Sequence, residues 1–491
     1  MLMKKKLKFL IIIVSVVLLI GVSVRYFYTI SSSKNWSSTK SDLEGKGFNF
    51  NFRDIIPSTV PDEKNFALAD ILKEKELKIL NKPKSRISAP VITFSYEENQ
   101  EFINFLDFQE CFRSDGVENW NQPEEAGDPI DDVLIVINDV EKDLKLLEVA
   151  INEKPLYNSN LDYKIQGAFI QAWNQSASSQ LVHMNAQWWF LLRSHVLLKK
   201  GDSINAFKDV GRALFLTECF KNDPRLVVQT LRLSMLKSLL SPIWEGLAKG
   251  KWNIEQLEEI QKKLSSINII EGISKGLNFD RHNLNQVHAY FRELAKQDTG
   301  AYRSGLISYG VPIQSIKSMR WFYISPLTFI NNSQCQSNKL YFKYIREGFD
   351  KLERRIYPEK LKELDQYLEE NKFHPFNLIS SLMMPSSSIM IRAGTVQVML
   401  DHAYISSAVE VYKLRKGEYP KDLASLAIQL PKDVFSGQSY RYENDGNGLY
   451  FISSEGSDQN SDKKEIIDLQ HSGKKIKTKK SNLVWHYPTS P

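Results

Sequence analysis

Leu197-Leu198-Lys199-Lys200-Gly201-Asp202 and Leu247-Ala248-Lys249-Gly250-Lys251 follow one pattern: an apolar helical run, a basic turn, then a glycine. A glycine just past the last turn closes a helix, because that position takes a left-handed conformation which glycine adopts without strain. Gly201 precedes another apolar helical pattern. Gly250 precedes Asn253, with Gln256 three residues later, the spacing of a capping box. The two glycines lie 49 residues apart, which predicts stacked helical hairpins and does not match the roughly 34-residue tetratricopeptide period. Between them, Asp223-Pro224 reads as N-cap and first residue of a helix whose Leu226, Val227, Leu231, Met235, Leu239 and Leu240 fall largely on one face. Residues 132–390 are therefore expected to be a helical-hairpin body. Trp173, Trp188, Trp189, Phe190 and Trp244 are expected in its core and not around a ligand groove.

Towards the N-terminus, Lys4, Lys5, Lys6 and Lys8 precede an apolar run from Phe9 to Val24, followed by Arg25, Tyr26, Phe27 and Tyr28. A run of this length, extended by an aromatic belt, predicts a membrane-spanning helix through residues 7–28, within a signal-anchor of residues 1–30. The lysines stay on the cytoplasmic side. The chain is thus expected to be a single-pass protein of a bacterial inner membrane, with its bulk periplasmic. Gly21-Val22-Ser23 leaves cleavage by a signal peptidase as the alternative. Residues 29 to about 62, with Ser31-Ser32-Ser33 and Trp36-Ser37-Ser38-Thr39, read as a polar stalk without a core of its own. From Glu97 to Asp132, twelve acidic residues stand against Arg113 alone, the pattern of a solvated surface. Residues 31–131 are accordingly read as stalk and acidic irregular region.

The composition, 42% hydrophobic and 25% charged over 491 residues, excludes both wholesale disorder and a many-span membrane protein. A net charge of +6 is too slight to imply nucleic acid. Cys111, Cys219 and Cys335 have neither zinc-ligand nor disulfide-framework spacing and read as small buried hydrophobes, with one bridge and a leftover thiol, of unassigned pairing, as the alternative in an oxidising compartment.

From about Ile391 the pattern changes. A helix through Val396, Leu400, Ala403, Tyr404 and Val411 leads into Gly417-Glu418-Tyr419-Pro420, then Leu430-Pro431-Lys432-Asp433-Val434-Phe435-Ser436-Gly437. Two alternating segments, 439–443 and 448–453, flank Asn444-Asp445-Gly446-Asn447, a hairpin signal. Asn482-Leu483-Val484-Trp485-His486 alternates as a closing strand. This order resembles the head domain of the major pseudopilins of type II secretion. Gly417, Tyr419 and Pro420 match that family's G-x-Y-P turn. Pro431, Asp433, Phe435 and Gly437 match its P-x-D-P-[WF]-G element loosely, since Val434 replaces the proline and Ser436 is inserted. Tyr450, Ser453 or Ser454, Gly456 and Asp458 match its final motif approximately. The resemblance implies a small α+β domain over 391–491 and calcium held by Asp458 and Asp462, although Lys463, Lys464 and the lysines of 474–480 oppose a dication. Residues 1–30 carry no prepilin-peptidase site, so polymerisation in the manner of a pilin is not expected.

Gly272-Ile273-Ser274-Lys275-Gly276 satisfies G-x-S-x-G, the nucleophile elbow of α/β hydrolases. No alternation of strands and helices surrounds it, so an interhelical loop is expected instead. The eight histidines include no pair at four-residue spacing, and no phosphate loop appears. The whole predicts a mostly α, membrane-anchored, extracytoplasmic protein that binds or scaffolds envelope proteins without catalysis. The alternative is an exported hydrolase acting on envelope or extracellular polymer, which would need a deep pocket or a Ser, His and acid set.

Overall fold

The computed structural model describes residues 2–74, 77–80, 125, 127–159, 161, 168–308, 325–371, 387–444, 450–456, 466–471, 474–479 and 483–485. The acidic run up to Glu124, Cys111, His374, Asp458 and Asp462 lie outside them. The chain is mostly helical, as expected. It begins with α1 (Leu2–Gly45), in which every side chain from Leu7 to Tyr28 is exposed. Among the described residues this is the one helix long and apolar enough to cross a membrane.

The stalk is corrected by the structure. Helix α1 runs on to Gly45 and packs against α9 (Pro326–Glu347). Ser32, Asn35, Thr39 and Leu43 recur at intervals of three and four, which puts them on one helical face. Ser32, Thr39 and Leu43 are buried there. Asn331 donates to Ser32 Oγ at 3.2 Å and Asn35 to Asn332 at 3.3 Å. Serine and threonine have weak helix propensity, but a partner helix that answers their hydrogen bonds overrides it. Gly47, at φ +80°, then turns the chain back, and residues 48–74 and 77–80 run in short 3-10 turns along the helices. Phe48, Phe66 and Ile79 of this segment belong to the shared core, which extends without a break from Leu43 to Trp485.

The body comprises α2 (Pro129–Glu153), α3 (Ala168–Lys199), α4 (Ser203–Glu218), α5 (Leu226–Ala248), α6 (Ile254–Ser265), α7 (Ile269–Gln297) and α8 (Thr299–Ser308), followed by α9. Gly201 and Gly250 close α3 and α5 at φ +83° and +58°, with Asp202 N–H returning to Leu197 and Lys251 N–H to Gly246. The Asn253–Gln256 capping box opens α6 with both of its bonds made. Helix α5 starts two residues later than the Asp223-Pro224 reading: Asp223 instead accepts the Arg225 N–H at 3.0 Å and pairs with its guanidinium. Trp188, Trp189, Phe190 and Trp244 are core residues. Cys219 and Cys335 are buried free thiols.

A two-stranded ribbon, β1 (Phe349–Asp350) with β2 (Arg355–Ile356), and α10 (Pro358–Glu370) lead to α11 (Ser387–Lys416). Helix α11 packs on α5, α6 and α7, and also on β2, β4 (Tyr450–Ser454) and β7 (Leu483–Trp485). It therefore spans the expected boundary at residue 391. Strands β3 (Arg441–Asn444), β4 and β7 form an antiparallel sheet in the order 3-4-7, pairing Tyr442 with Ile452 and Ile452 with Trp485. A separate hairpin joins β5 (Ile466–His471) to β6 (Lys474–Lys479).

The motif residues before the sheet have structural work. Gly417, at φ +82°, ends α11, and Tyr419 returns its hydroxyl to Glu410 at 3.1 Å. Buried Asp433 accepts the N–H groups of Phe435 and Glu455, tying the loop to the end of β4. Phe435 packs on Gly394, where a Cβ would lie 2.6 Å from its ring.

Trp485 is fully buried. Trp485→Ala is expected to cost about 3–5 kcal/mol, the range for removing a large core aromatic. Equilibrium denaturation of the full chain in detergent checks this, and a loss below about 1 kcal/mol would mean that β7 is not part of the core.

Candidate functional site

The G-x-S-x-G serine lies neither on an elbow nor in a loop. Gly272, Ser274 and Gly276 are interior residues of α7. The glycines are there for close helix packing: a Cβ on Gly276 would stand 2.9 Å from Leu226 Cα, and one on Gly272 2.6 Å from Gln229 Oε1. The spacing is thus a small-xxx-small contact between α7 and α5, as found where two helices approach closely. His282 follows Ser274 by eight residues on the same helix, about 12 Å of rise, which is beyond hydrogen-bonding reach. His288 is buried between the Leu284 carbonyl, 2.7 Å, and Ser333 Oγ, 3.2 Å.

A Ser, His and acid set does form, from residues that no motif joins. Ser241 Oγ lies 3.1 Å from His195 Nε2, and His195 Nδ1 lies 2.5 Å from Glu245 Oε2. With Nδ1–H donating to the carboxylate, Nε2 accepts from the Ser241 hydroxyl, the polarity of a hydrolase triad. Lys249 donates to the other Glu245 oxygen at 2.9 Å. Burial pushes the Glu245 pKa upward, but the neighbouring His195 and Lys249 outweigh it and hold it at about 2. A triad acts only if substrate can reach the serine and donors await the oxyanion. Here His195 and Glu245 are 1% exposed and Ser241 8%, inside α5 and directly before Pro242, which has no N–H. Neither the groove described next nor the small void between α4, α5 and α6 reaches Ser241. The set is therefore an interhelical clamp between α3 and α5.

A groove of about 650 Å³ opens where α1 ends. Five separated parts of the chain build it: 47–60 after α1, Tyr157 beyond α2, the α4–α5 turn at Asn222 and Pro224, one face of α7, and the end of α9 with the β1–β2 ribbon and Tyr357. Asp54 and Asp350 sit in its wall with Lys275, Arg346 and Lys351. Asp54 accepts from Asn49 at 2.6 Å and Asn51 at 2.8 Å, and Asp350 accepts the N–H groups of Leu352 and Glu353. Behind the wall, Arg281 is 1% exposed. It stacks over Phe48 and Phe50 with its guanidinium carbon 4.2 and 4.7 Å from the ring centres, and it donates to His282 Nε2 at 2.9 Å and to the Asn49 carbonyl. Burial lowers its pKa to about 10, and burial with the Arg281 charge lowers that of His282 to about 3.

Among the described residues no group of three His, Cys, Asp or Glu could hold a metal ion. The calcium ligands implied by the pseudopilin resemblance, Asp458 and Asp462, lie outside those residues. No protein-family model, curated protein or solved structure matches the chain. Sequence reasoning missed both the clamp and the groove. His195, Ser241 and Glu245 carry no spacing signal across two helices, and the groove residues become neighbours only once α1 docks on α9.

Glu245→Gln leaves His195 and Lys249 facing a neutral amide in the interior and is expected to cost about 3–5 kcal/mol in equilibrium unfolding. His402, on α11, is fully buried with neither ring nitrogen hydrogen-bonded among the described residues, and burial lowers its pKa to about 3. An unfolded histidine titrates near 6.5, so between about 3 and 6.5 the unfolded chain binds the extra proton and stability falls as pH falls. Asp280, raised by burial to about 7, acts in the opposite sense, its contribution being lost as pH rises towards 7. His402→Phe should therefore reduce the slope of unfolding free energy between pH 5.5 and 4 by about 1.4 kcal/mol per pH unit. An unchanged slope would mean that His402 is hydrated.

Proposed function

We propose that the protein is a single-pass, signal-anchored binding protein of a bacterial inner membrane. Its extracytoplasmic body presents the groove, and its C-terminal helix-and-sheet unit serves as a pseudopilin-like head for contacts with other envelope proteins. The observation that carries this reading is the continuity of α1. Its exposed apolar half suits lipid, its N-terminal lysines suit the cytoplasmic face, and its second half is locked into the body on α9. Gly21-Val22-Ser23, where a signal peptidase would cut, lies inside that helix, which favours retention. The head reading is supported by α11 ending at Gly417 and Tyr419 and by its packing on the β3-β4-β7 sheet.

The Ser241–His195–Glu245 set is the one observation that favours an exported hydrolase. Its burial weighs against that reading. An esterase or glycan-hydrolase activity lost in Ser241→Ala, with folding intact, would replace the binding reading.

Expressed in a bacterium, the full chain is expected to stay in the membrane fraction through carbonate extraction. Mass spectrometry should find residues 1–23 attached, and protease added to spheroplasts should digest the body. A soluble periplasmic form beginning after about residue 23 would sink the anchor.

A further inference from the structure

Arg281 and His282 of α7 hold the chain down just after α1 ends. The Arg281 guanidinium stacks on Phe48 and Phe50 and donates to the carbonyl of Asn49 between them, and the His282 ring lies 5.9 Å from that of Phe52. Residues 48–54 thus form a strap laid over two neighbouring side chains. Part of the strap is also a wall of the groove. A guanidinium has no lone pair to offer, so its 2.9 Å contact with His282 Nε2 requires that nitrogen to accept and the ring to be neutral. A proton on Nε2 would set one cationic N–H against another, at residues only 1% and 4% exposed.

The surroundings do not offset that conflict. From the strap, the Asn49 carbonyl and Asp54 favour a protonated ring, but burial and the Arg281 charge outweigh them and hold the His282 pKa at about 3. Asp54 is already bonded to the Asn49 and Asn51 amides. On α7 itself, Asp280 accepts the Leu226 N–H at the start of α5, and Lys275 pairs with Glu271. From α9, Asn338 and the Tyr341 phenol, kept neutral by burial, face Arg281. Across the groove, Arg346 and Lys351 add positive charge, and the Asp350 carboxylate is taken up by two N–H groups of its own turn.

We infer that the strap is an acid-operated catch: a proton on His282 breaks the Arg281 contact, both cations turn to water, and residues 48–54 lift from α7 and open that wall of the groove. Arg281 cannot reach water without leaving the Phe48 and Phe50 rings and the Asn49 carbonyl. A released histidine titrates near 6.5, above its docked value, so the strap is fully held above about pH 6.5 and loses its hold as pH falls towards 3. The 3-10 turn Phe52–Ile55 and its Asn51 cap are too short to persist unattached, so amide exchange reports the release.

The test is amide exchange by mass spectrometry on the full chain in detergent, corrected for the intrinsic rate at each pH, with residues 236–247 of α5 as the reference for global unfolding. Between pH 7 and pH 5, exchange of residues 48–56 is expected to rise about twentyfold over that reference. His282→Gln keeps an acceptor for Arg281 but takes no proton, and should hold the rise below threefold. No rise in the natural chain, a rise shared equally by α5, or a rise that survives in His282→Gln would each overturn the catch. Should His282→Gln fail to fold, the pH profile of the natural chain decides: an onset near pH 6.5 with a tenfold change per pH unit supports the catch, and an onset below about 4.5 assigns the release to a carboxylate and overturns it.

Discussion

Helix α11 is buried on nearly every side between Ala393 and Val411, and the rest of the body is arranged around that fact. A helix buried all round is central, and this one packs on α5, α6 and α7 and on β2, β4 and β7. Two of its buried polar residues are used as connectors. Gln397 accepts the Ile269 N–H at the start of α7, and Asp401 gathers Gln397, Arg354 and the Tyr440 hydroxyl. Burial raises the Asp401 pKa against the pull of Arg354, so the acid stays in place through its hydrogen bonds and not through exposure. The helical body and the small sheet thus share one core, and neither half of α11 can be shielded without the other.

Polar seams fix the register of the remaining helices. Where α7 meets α9, Asn285, Gln334 and Asn338 bond to one another, and Arg292 reaches Asn331 and Gln334. The Ser241–His195–Glu245 set does the same between α3 and α5. Satisfied networks of this sort add directional constraint that apolar packing lacks, because a one-residue slip would leave several buried groups unpaired at once. On the far side, Arg193 reaches Glu141, Glu148 and Asp209, which draws α2, α3 and α4 together.

Much of the architecture was legible from local signals. The glycines at 201 and 250, the Asn253 cap, the long apolar N-terminal helix and the alternation that ends in Trp485 each report a local backbone requirement, and local requirements survive in sequence. The stalk was misread because Ser32, Asn35 and Thr39 are polar for the sake of a partner nearly 300 residues away, and composition cannot tell a solvated serine from one facing Asn331. Gly272 and Gly276 were misread for a similar reason: the steric demand comes from Leu226 and Gln229 on another helix. The groove and the clamp were invisible in sequence, since each is assembled by tertiary contact from segments that carry no shared motif.

The unbroken course of α1 has a mechanical consequence. From the aromatic belt at Tyr28 to Gly45 it extends about 25 Å as one rod, and the segment lining the groove begins two residues beyond its end. Helices adjust to bilayer thickness by tilting. Because α1 is also clasped by α9, whose far end lines the same groove, a tilt of α1 in the proposed anchored form would turn the body with it instead of bending a tether, and 10° would sweep the groove roughly 4 Å across the membrane surface. In that anchored form the lipid would set the orientation of the groove.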